Sequence, residues 1–226
     1  MEIKRLKALF ELIAFCSKKF KPRKTFKPFR IIFKEAGKIR ELQLEQTILE
    51  EQPDFHLLKK YPNRLKKLET KKIKNFFSIA NKRLINKLKV KYRKIICVLT
   101  QISKKKANRY KNKTRKEIKK LIRKNTFKKK QIHDFRKRLK VYQYNEKIRS
   151  HSEQNRHFMY KDMLSDLIGE WHDFDVVILH LKKIITTLKK DSNERNQLKI
   201  ITIRMSLQRE LLFQKINTTL PQKTLV

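Results

Sequence analysis

Acidic residues are scarce in this chain of 226 residues: 21 of them stand against 61 lysines and arginines, which gives a formal net charge of +40. Between positions 70 and 133 there are 25 basic residues and a single acid, Glu117. An AT-rich genome favours Lys, Ile and Asn, but that bias does not by itself remove acids. A chain this basic repels itself unless a polyanion neutralises it. The composition therefore predicts a polyanionic partner: nucleic acid, an anionic membrane face, an acidic protein or inorganic polyphosphate.

Glycine and proline are also rare, with two and five residues. Strand-rich folds need turn residues every few positions, so this scarcity predicts long helices. The two cysteines, Cys16 and Cys97, lie in apolar helical patterns, which favours reduced core thiols in a cytoplasmic protein over a disulfide framework. No apolar run approaches the length of a membrane span, and the charged residues 2–7 do not resemble a signal peptide.

Hydrophobic periodicity predicts an all-helical fold, an antiparallel bundle with short connections. The predicted helices cover residues 3–15, 29–51, 63–100, 116–123, 153–168, 170–190 and 194–216, together with one that carries Ile132, Phe135, Leu139 and Tyr142. Pro22 and Pro28 bound a predicted basic connector, and residues 103–113 form a lysine-rich one. Caps are predicted at 125–126 and 191–194. The inner positions of the long third helix are Ile73, Phe77, Leu84, Leu88, Tyr92, Ile95 and Leu99.

The two glycines, Gly37 and Gly169, fall at matching points of similar segments, residues 34–44 and 166–176. A basic amphipathic helix precedes each segment. This recurrence predicts one domain over residues 1–226 built from two repeats, at about 1–100 and about 125–217, which face each other across a pseudo-twofold axis. We expect each glycine to mark a bend or a close helix contact.

The most specific local pattern is the basic segment 132–140. On a helix His133, Arg136 or Lys137, and Lys140 form one polar stripe, beside the apolar stripe of Ile132 and Phe135. Cations at the edge of an interhelical groove concentrate the field there and can bind phosphate oxygens along a linear anion. Alternatively, these are solvated surface charges and His133 is a structural histidine.

Residues 133–140, followed by Leu-Ile-Gly-Glu-Trp-His-Asp-Phe-Asp-Val at 167–176, resemble the CHAD domain, the conserved histidine α-helical domain. Its repeat has a His-x-x-Arg basic helix and a later Leu-Gly-x-x-Arg-Asp-x-Asp-Val-like helix, and residues 3–9 and 36–41 resemble the same elements. The resemblance covers essentially the whole chain. It implies a helical bundle of two pseudo-symmetric halves, whose basic central groove or pore binds inorganic polyphosphate. Members of the family are often attached to a triphosphate-tunnel catalytic domain.

Carried over position by position, the resemblance implies that polyphosphate contacts Lys4, Lys7, Arg40, His133, Arg136, Lys140 and His172. Arg83 and Lys87, four residues apart in the acid-poor region, are further candidates, with a solvated face as the alternative. His172 stands where the family usually has arginine, which weakens binding near neutral pH if its pKa is unperturbed. Because Met1 falls after the position of the first repeat's His and Arg, we expect that half of the site to be incomplete.

No phosphate loop, zinc spacing or nucleophile motif occurs in the sequence, and nothing predicts a cofactor. Asp173 and Asp175 point in different directions on a helix, so salt bridges are favoured over a shared metal ion. Together with the resemblance, the sequence predicts non-catalytic binding of inorganic polyphosphate in a basic groove between two helical halves of a cytoplasmic protein; association with polyphosphate granules is implied by the resemblance alone. The alternative is a nucleic-acid-binding protein that makes sequence-independent phosphate contacts.

Overall fold

A computed structural model of the protein describes residues 2–122, 127–147, 156–190 and 192–219. Across these residues the chain forms α-helices, one short 3-10 helix and no strand, so the predicted all-helical class is confirmed. The α-helices are α1 (Glu2–Cys16), α2 (Pro22–Glu50), α3 (Tyr61–Ile79), α4 (Lys82–Leu99), α5 (Lys104–Ile122), α6 (Lys129–Lys147), α7 (Arg156–Thr187) and α8 (Asn193–Thr219). The 3-10 helix, Pro53–Leu57, links α2 to α3.

Helix α2 begins at Pro22 and runs through Pro28, so the connector predicted between these two prolines is wrong. Proline fits the first turn of a helix, where its missing N–H has no intrahelical acceptor. Pro28 lies beyond the first turn and cannot donate the intrahelical backbone hydrogen bond expected there. Aromatic packing around it compensates for this loss. The rings of Phe26 and Phe29 lie 5.7 and 6.1 Å from that of Phe10, edge to face.

The long helix predicted over 63–100 is two helices, since the chain breaks after Ile79. Asn81 caps α4: its side chain accepts a hydrogen bond from the backbone N–H of Leu84 at 3.1 Å. Two predicted inner residues face outward: Phe77 is 69% and Tyr92 58% exposed. Cys97 on α4 is exposed, so its predicted core position is wrong, whereas Cys16 is buried as expected.

Residues 103–113, predicted as a connector, belong almost entirely to α5. The inner face of α5 consists of Ala107, Tyr110, Thr114 and Ile118, which follow a helical spacing. The many lysines between them give the segment the composition of a loop. Thr114 and Ile118 are buried. The described part of the predicted helix at 116–123 thus belongs to a longer helix, α5.

Helix α7 is continuous through Gly169, where two helices were predicted. A Cβ built on Gly37 or on Gly169 meets no atom within 4 Å, so the expected close helix contact is wrong at both positions. The Ser192 hydroxyl accepts from the backbone N–H of Arg195 at 3.4 Å, which fits the predicted cap of α8. The cap predicted at 125–126 and residue 191 of the predicted break lie outside the described residues.

The chain divides into two compact units. Unit 1 comprises Met1–Phe33, Ala80–Asp166 and Asn217–Val226, and unit 2 comprises Lys34–Ile79 and Leu167–Ile216. Helices α2 and α7 contribute residues to both units. Each unit therefore takes segments from both proposed repeats.

Unit 1 is built on α1, α5 and α6, which pack against one another pairwise. Phe10, Ile13 and Ile95 form one buried cluster of this unit. Polar contacts tie its helices together: the Asn145 amide donates to the Ala8 carbonyl at 3.2 Å, and the Lys106 ammonium to the Cys16 carbonyl at 3.4 Å.

Unit 2 contains two helical hairpins, one from α2 and α3 and the other from α7 and α8. A single apolar cluster joins them and includes Leu49 and Leu65 from the first hairpin, and Ile178, Leu181 and Leu198 from the second. The Glu194 carboxylate accepts from the backbone N–H groups of Lys60 and Tyr61 at 2.9 and 2.5 Å, so the start of α8 also caps α3.

Candidate functional site

The predicted cations of α6 lie on one flank of that helix. Ile132, Phe135 and Leu139 are at most 1% exposed and fix which side of α6 faces the interior of unit 1. Helical spacing then places His133, Arg136 and Lys140, here called the α6 cation stripe, beside this packed face. All three are half-buried. Their side-chain stems are thus ordered by packing, which lowers the entropy lost when an anion binds.

Two members of the α6 cation stripe, Lys140 and Arg136, have surroundings that bear on anion binding. Lys140 Nζ lies 3.8 Å from an oxygen of Asp166, whose side chain is 80% exposed, a geometry that contributes little in water. The Arg136 Nε is withdrawn from solvent and has no hydrogen-bond partner among the described residues. A buried donor without an acceptor is costly, so Arg136 contributes less to stability than a fully paired arginine would.

The opposite flank of α6 is a mixed-charge cluster. Arg138 Nη1 donates to Glu117 of α5 at 2.6 Å. Glu11 of α1 lies near Arg138 and Lys7: burial raises the pKa of its carboxyl, and these two cations oppose the rise. The predicted site residues Lys4 and Lys7 share the exposed face of α1 with Glu11. The structure therefore places Lys7 with Glu11 and Arg138, on the flank away from the α6 cation stripe.

The other predicted site residues are distributed over α2, α4 and α7. Arg83 and Lys87 are exposed on α4 of unit 1. Arg40 is exposed on α2, and His172 is half-buried on α7; both belong to unit 2. Seven of the nine predicted residues thus belong to unit 1 and two to unit 2.

A basic groove that the sequence does not predict lies beside α5 and is here called the α5 groove. It has a volume of about 990 Å³ and is lined by Phe15, Lys105, Asn108, Arg109, Asn112, Lys113, Lys116 and Glu117. The four-residue spacings of Lys105, Arg109 and Lys113, and of Asn108 and Asn112, could have revealed it, had the segment been recognised as a helix.

An aromatic ring forms part of the α5 groove. The Phe15 ring is 37% exposed and contacts the Tyr110 ring at 5.3 Å. Lys113 Nζ lies 5.5 Å from the centroid of Phe15, within reach of a cation–π interaction. Burial raises the pKa of Tyr110 to about 12, so its hydroxyl stays protonated at neutral pH. The one acid of the groove, Glu117, is ion-paired with Arg138, which leaves the groove positive.

Unit 2 has a basic groove of its own along the first half of α3. It has a volume of about 510 Å³ and is lined by Lys59, Lys60, Asn63, Arg64, Lys67, Leu68 and Lys71. It lacks an aromatic side chain and a buried cation, so it offers less preorganisation than the α6 cation stripe.

A buried polar network also lies in unit 2. The Glu45 side chain, only 2% exposed, accepts from the Tyr61 hydroxyl at 2.5 Å and makes a very short contact with Nδ1 of His180. The hydrogen bond to Glu45 raises the pKa of His180, while burial opposes it. The network links the two hairpins of unit 2, since Glu45 and Tyr61 belong to one and His180 to the other.

Comparisons with known proteins identify no relative: no family model matches the chain, and neither the curated proteins nor the solved structures searched contain a match. No described helix is long and apolar enough to cross a membrane. In the same part of the chain, no three His, Cys, Asp or Glu side chains are grouped as a metal site requires. Asp175 instead forms a salt bridge with Arg209 at 2.7 Å, as the sequence predicted.

Proposed function

We propose that the protein binds inorganic polyphosphate, a long linear polyanion, through the α6 cation stripe. The observation that carries this proposal is the half-buried position of His133, Arg136 and Lys140 in a row along one helix flank. Cations held by packing lose less entropy on binding than solvated ones, and arginine engages phosphate oxygens through two parallel hydrogen bonds. A repeating phosphate chain can contact successive members of such a row.

The remaining charge supports association with any polyanion. Most cations of α3, α4 and α5 are exposed, and the net charge of +40 creates a long-range positive potential. Such a field raises the association rate of anions and makes it sensitive to salt. In this proposal the field attracts polyphosphate, and the α6 cation stripe holds it.

We further propose that the chain arose by duplication and that its two repeats are related by a pseudo-twofold axis. The order of helices supports this: α1, α2 and α3 correspond to α6, α7 and α8, and the long second member of each set contains one of the two glycines. In this arrangement, the groove for the anion lies between related halves.

The proposed binding is non-catalytic. A phosphohydrolase needs a general base or a metal site beside its substrate. Glu117 is ion-paired with Arg138 at 2.6 Å, and Asp166, beside the stripe, is a solvated carboxylate with 80% of its side chain exposed rather than a base held in a pocket. Incubation with polyphosphate and a divalent metal should therefore release no phosphate, and release would overturn this part of the proposal.

Competition tests the preference for polyphosphate. Labelled polyphosphate is bound to the protein and displaced with unlabelled polyphosphate, single-stranded DNA or RNA at equal phosphate equivalents. We expect unlabelled polyphosphate to displace the label at lower concentration, because nucleic acid spaces its charges more widely and carries bases that the α6 cation stripe does not contact. Equal displacement by all three would contradict the proposal.

The α5 groove favours a second candidate function, binding of single-stranded nucleic acid. Phe15 offers a ring for base stacking between cations that contact phosphate, and Asn108 and Asn112 provide hydrogen bonds. Polyphosphate has no bases and gains nothing from the ring. Nucleic-acid binding would thus depend on a residue that is irrelevant to polyphosphate.

Phe15→Leu separates the two functions while it retains an apolar side chain against Tyr110. Base stacking on an aromatic ring contributes roughly 1–3 kcal/mol, so nucleic-acid binding through this groove predicts about a tenfold loss of affinity for single-stranded DNA in the variant. Affinity for polyphosphate should stay unchanged. Unchanged affinity for DNA would exclude the groove as its binding site.

A further inference from the structure

Helix α8 exposes a continuous row of large aliphatic side chains. Ile200 is 46% exposed, and Ile203, Leu207 and Leu211 are each 64% exposed. Their spacing of three, four and four residues places them on one face, here called the α8 apolar stripe. The opposite face of α8 is packed into unit 2 through Leu198, Ile201, Thr202, Met205 and Ile216. At about 1.5 Å rise per residue the stripe is roughly 16 Å long.

One cation beside the α8 apolar stripe is neutralised within the protein: Arg204 is ion-paired with Asp54 at 2.9 Å. The flank that carries the exposed Lys199 also carries an acid, Glu210. Most of the surface of a chain with a charge of +40 repels a second copy of itself. The α8 apolar stripe offers apolar contact where that repulsion is reduced.

The order of side chains along the stripe is close to palindromic about Met205. Ile203 and Leu207 lie two residues to either side of it, and Ile200 and Leu211 lie five and six residues away. The polar residues Asn196 and Gln214 follow at nine residues in both directions. A twofold interface requires a patch that is complementary to itself, and a palindromic apolar row on one helix meets this condition when two copies run antiparallel.

Charge complementarity selects the same arrangement. Lys199 and Glu210 share one flank of the stripe, six and five residues on either side of Met205. In an antiparallel pair the same flanks of both helices face each other, so Lys199 of each copy lies opposite Glu210 of the other. We propose that the protein forms a twofold-symmetric homodimer in which α8 packs antiparallel against α8 of a second copy, through Ile200, Ile203, Leu207 and Leu211.

The size and charge of this contact determine how it should behave. A single helix face lies at the small end of protein interfaces, so the dimer should be weak and its population should rise with concentration. Added salt screens the repulsion between two strongly basic copies, and it should therefore strengthen the dimer. Binding of a polyanion is weakened by salt, which makes the two processes distinguishable.

Sedimentation velocity under reducing conditions, over a concentration series at low and high salt, measures the dimer directly. We expect a reversible monomer–dimer equilibrium that shifts toward the dimer at high salt. Leu207→Glu should weaken it at least tenfold, because it places a charge in the apolar contact. Val90→Glu, an exposed aliphatic position on α4, is the matched control and should leave it unchanged. A monomer under all conditions, or a dimer unaffected by Leu207→Glu, would overturn the proposal.

A charge exchange tests the antiparallel orientation. Lys199→Glu alone sets two acids opposite each other at both ends of the contact, so the dimer should weaken. The double variant Lys199→Glu with Glu210→Lys restores opposite charges and should recover the wild-type dissociation constant. If the double variant is as weak as the single one, the antiparallel orientation is wrong. Circular dichroism of each variant verifies that helical content is preserved.

Discussion

The protein should become less stable as the pH rises above neutrality, because His180 then loses the proton that stabilises its contact with Glu45. His180 contacts the buried Glu45 carboxylate, which also accepts from Tyr61. The hydrogen bond to Glu45 raises the pKa of His180; burial and Lys183 oppose the rise, and Glu41 assists it. Since the pKa is higher in the folded state, the stabilisation is complete below the unfolded value of about 6.5 and is lost as the pH passes the folded value.

The size of this effect follows from the surroundings of the pair. A hydrogen bond to a charged group contributes about 1.5–3 kcal/mol. The His180 side chain is 39% exposed, so solvent screens part of that contribution, and about 1–2 kcal/mol remains. For a chain of this length, each kcal/mol changes the melting temperature by about 2–4 °C.

Urea unfolding at pH 6 and pH 8.5 measures the effect, with His180→Gln as the test variant and His56→Gln as the control. His56 is exposed and makes only a local contact with the Pro53 carbonyl. We expect the wild type and His56→Gln to lose about 1–2 kcal/mol between the two pH values, and His180→Gln to lose much less. An equal loss in all three proteins would refute the reasoning.

Two further predictions concern local structure. Gly37→Ala and Gly169→Ala should each raise the free energy of unfolding by about 0.5–1 kcal/mol, because both positions are inside helices and have room for a methyl group; destabilisation by either change would show a contact or bend that the structure lacks. Asn81→Ala should lower the free energy of unfolding by about 1 kcal/mol through loss of the α4 cap, whereas Asn81→Asp should retain it. Equal stability of both Asn81 variants would show that the cap contributes nothing.

Helix class and the principal packed faces could be predicted from the sequence because they depend on periodicity. The spacing of Ile132, Phe135 and Leu139 identified the buried side of α6, and the position of the α6 cation stripe follows from it. Helix boundaries were less predictable. Proline inside a segment predicts a break, but at Pro28 the packing of Phe26 and Phe29 against Phe10 maintains the helix.

The unpredicted α5 groove has a different origin. The composition of residues 103–113 predicts a connector, because their many lysines obscure a helical face that is small and only partly apolar. Its other wall comes from Phe15 at the end of α1, about ninety positions earlier in the chain. The contact between Glu45 and His180 is likewise non-local, and neither residue belongs to a motif. Such pairs depend on tertiary packing, which single-sequence patterns do not encode.

The affinity of polyphosphate for a variant of the α6 cation stripe tests the central claim most directly. Arg136→Ala combined with Lys140→Ala removes two charge-assisted contacts, each worth roughly 1.5–3 kcal/mol before screening. Lys89→Ala combined with Lys94→Ala removes the same charge from exposed positions of α4 and serves as the matched control. Fluorescence anisotropy with labelled polyphosphate at fixed salt gives both dissociation constants.

We expect the Arg136 and Lys140 variant to bind at least tenfold more weakly than the wild type, with unchanged helical content, and the control to bind within about twofold of the wild type. An equal loss in both variants would show that only net charge matters. Unchanged affinity in the Arg136 and Lys140 variant would show that the α6 cation stripe is not the polyphosphate site, which contradicts the proposed function.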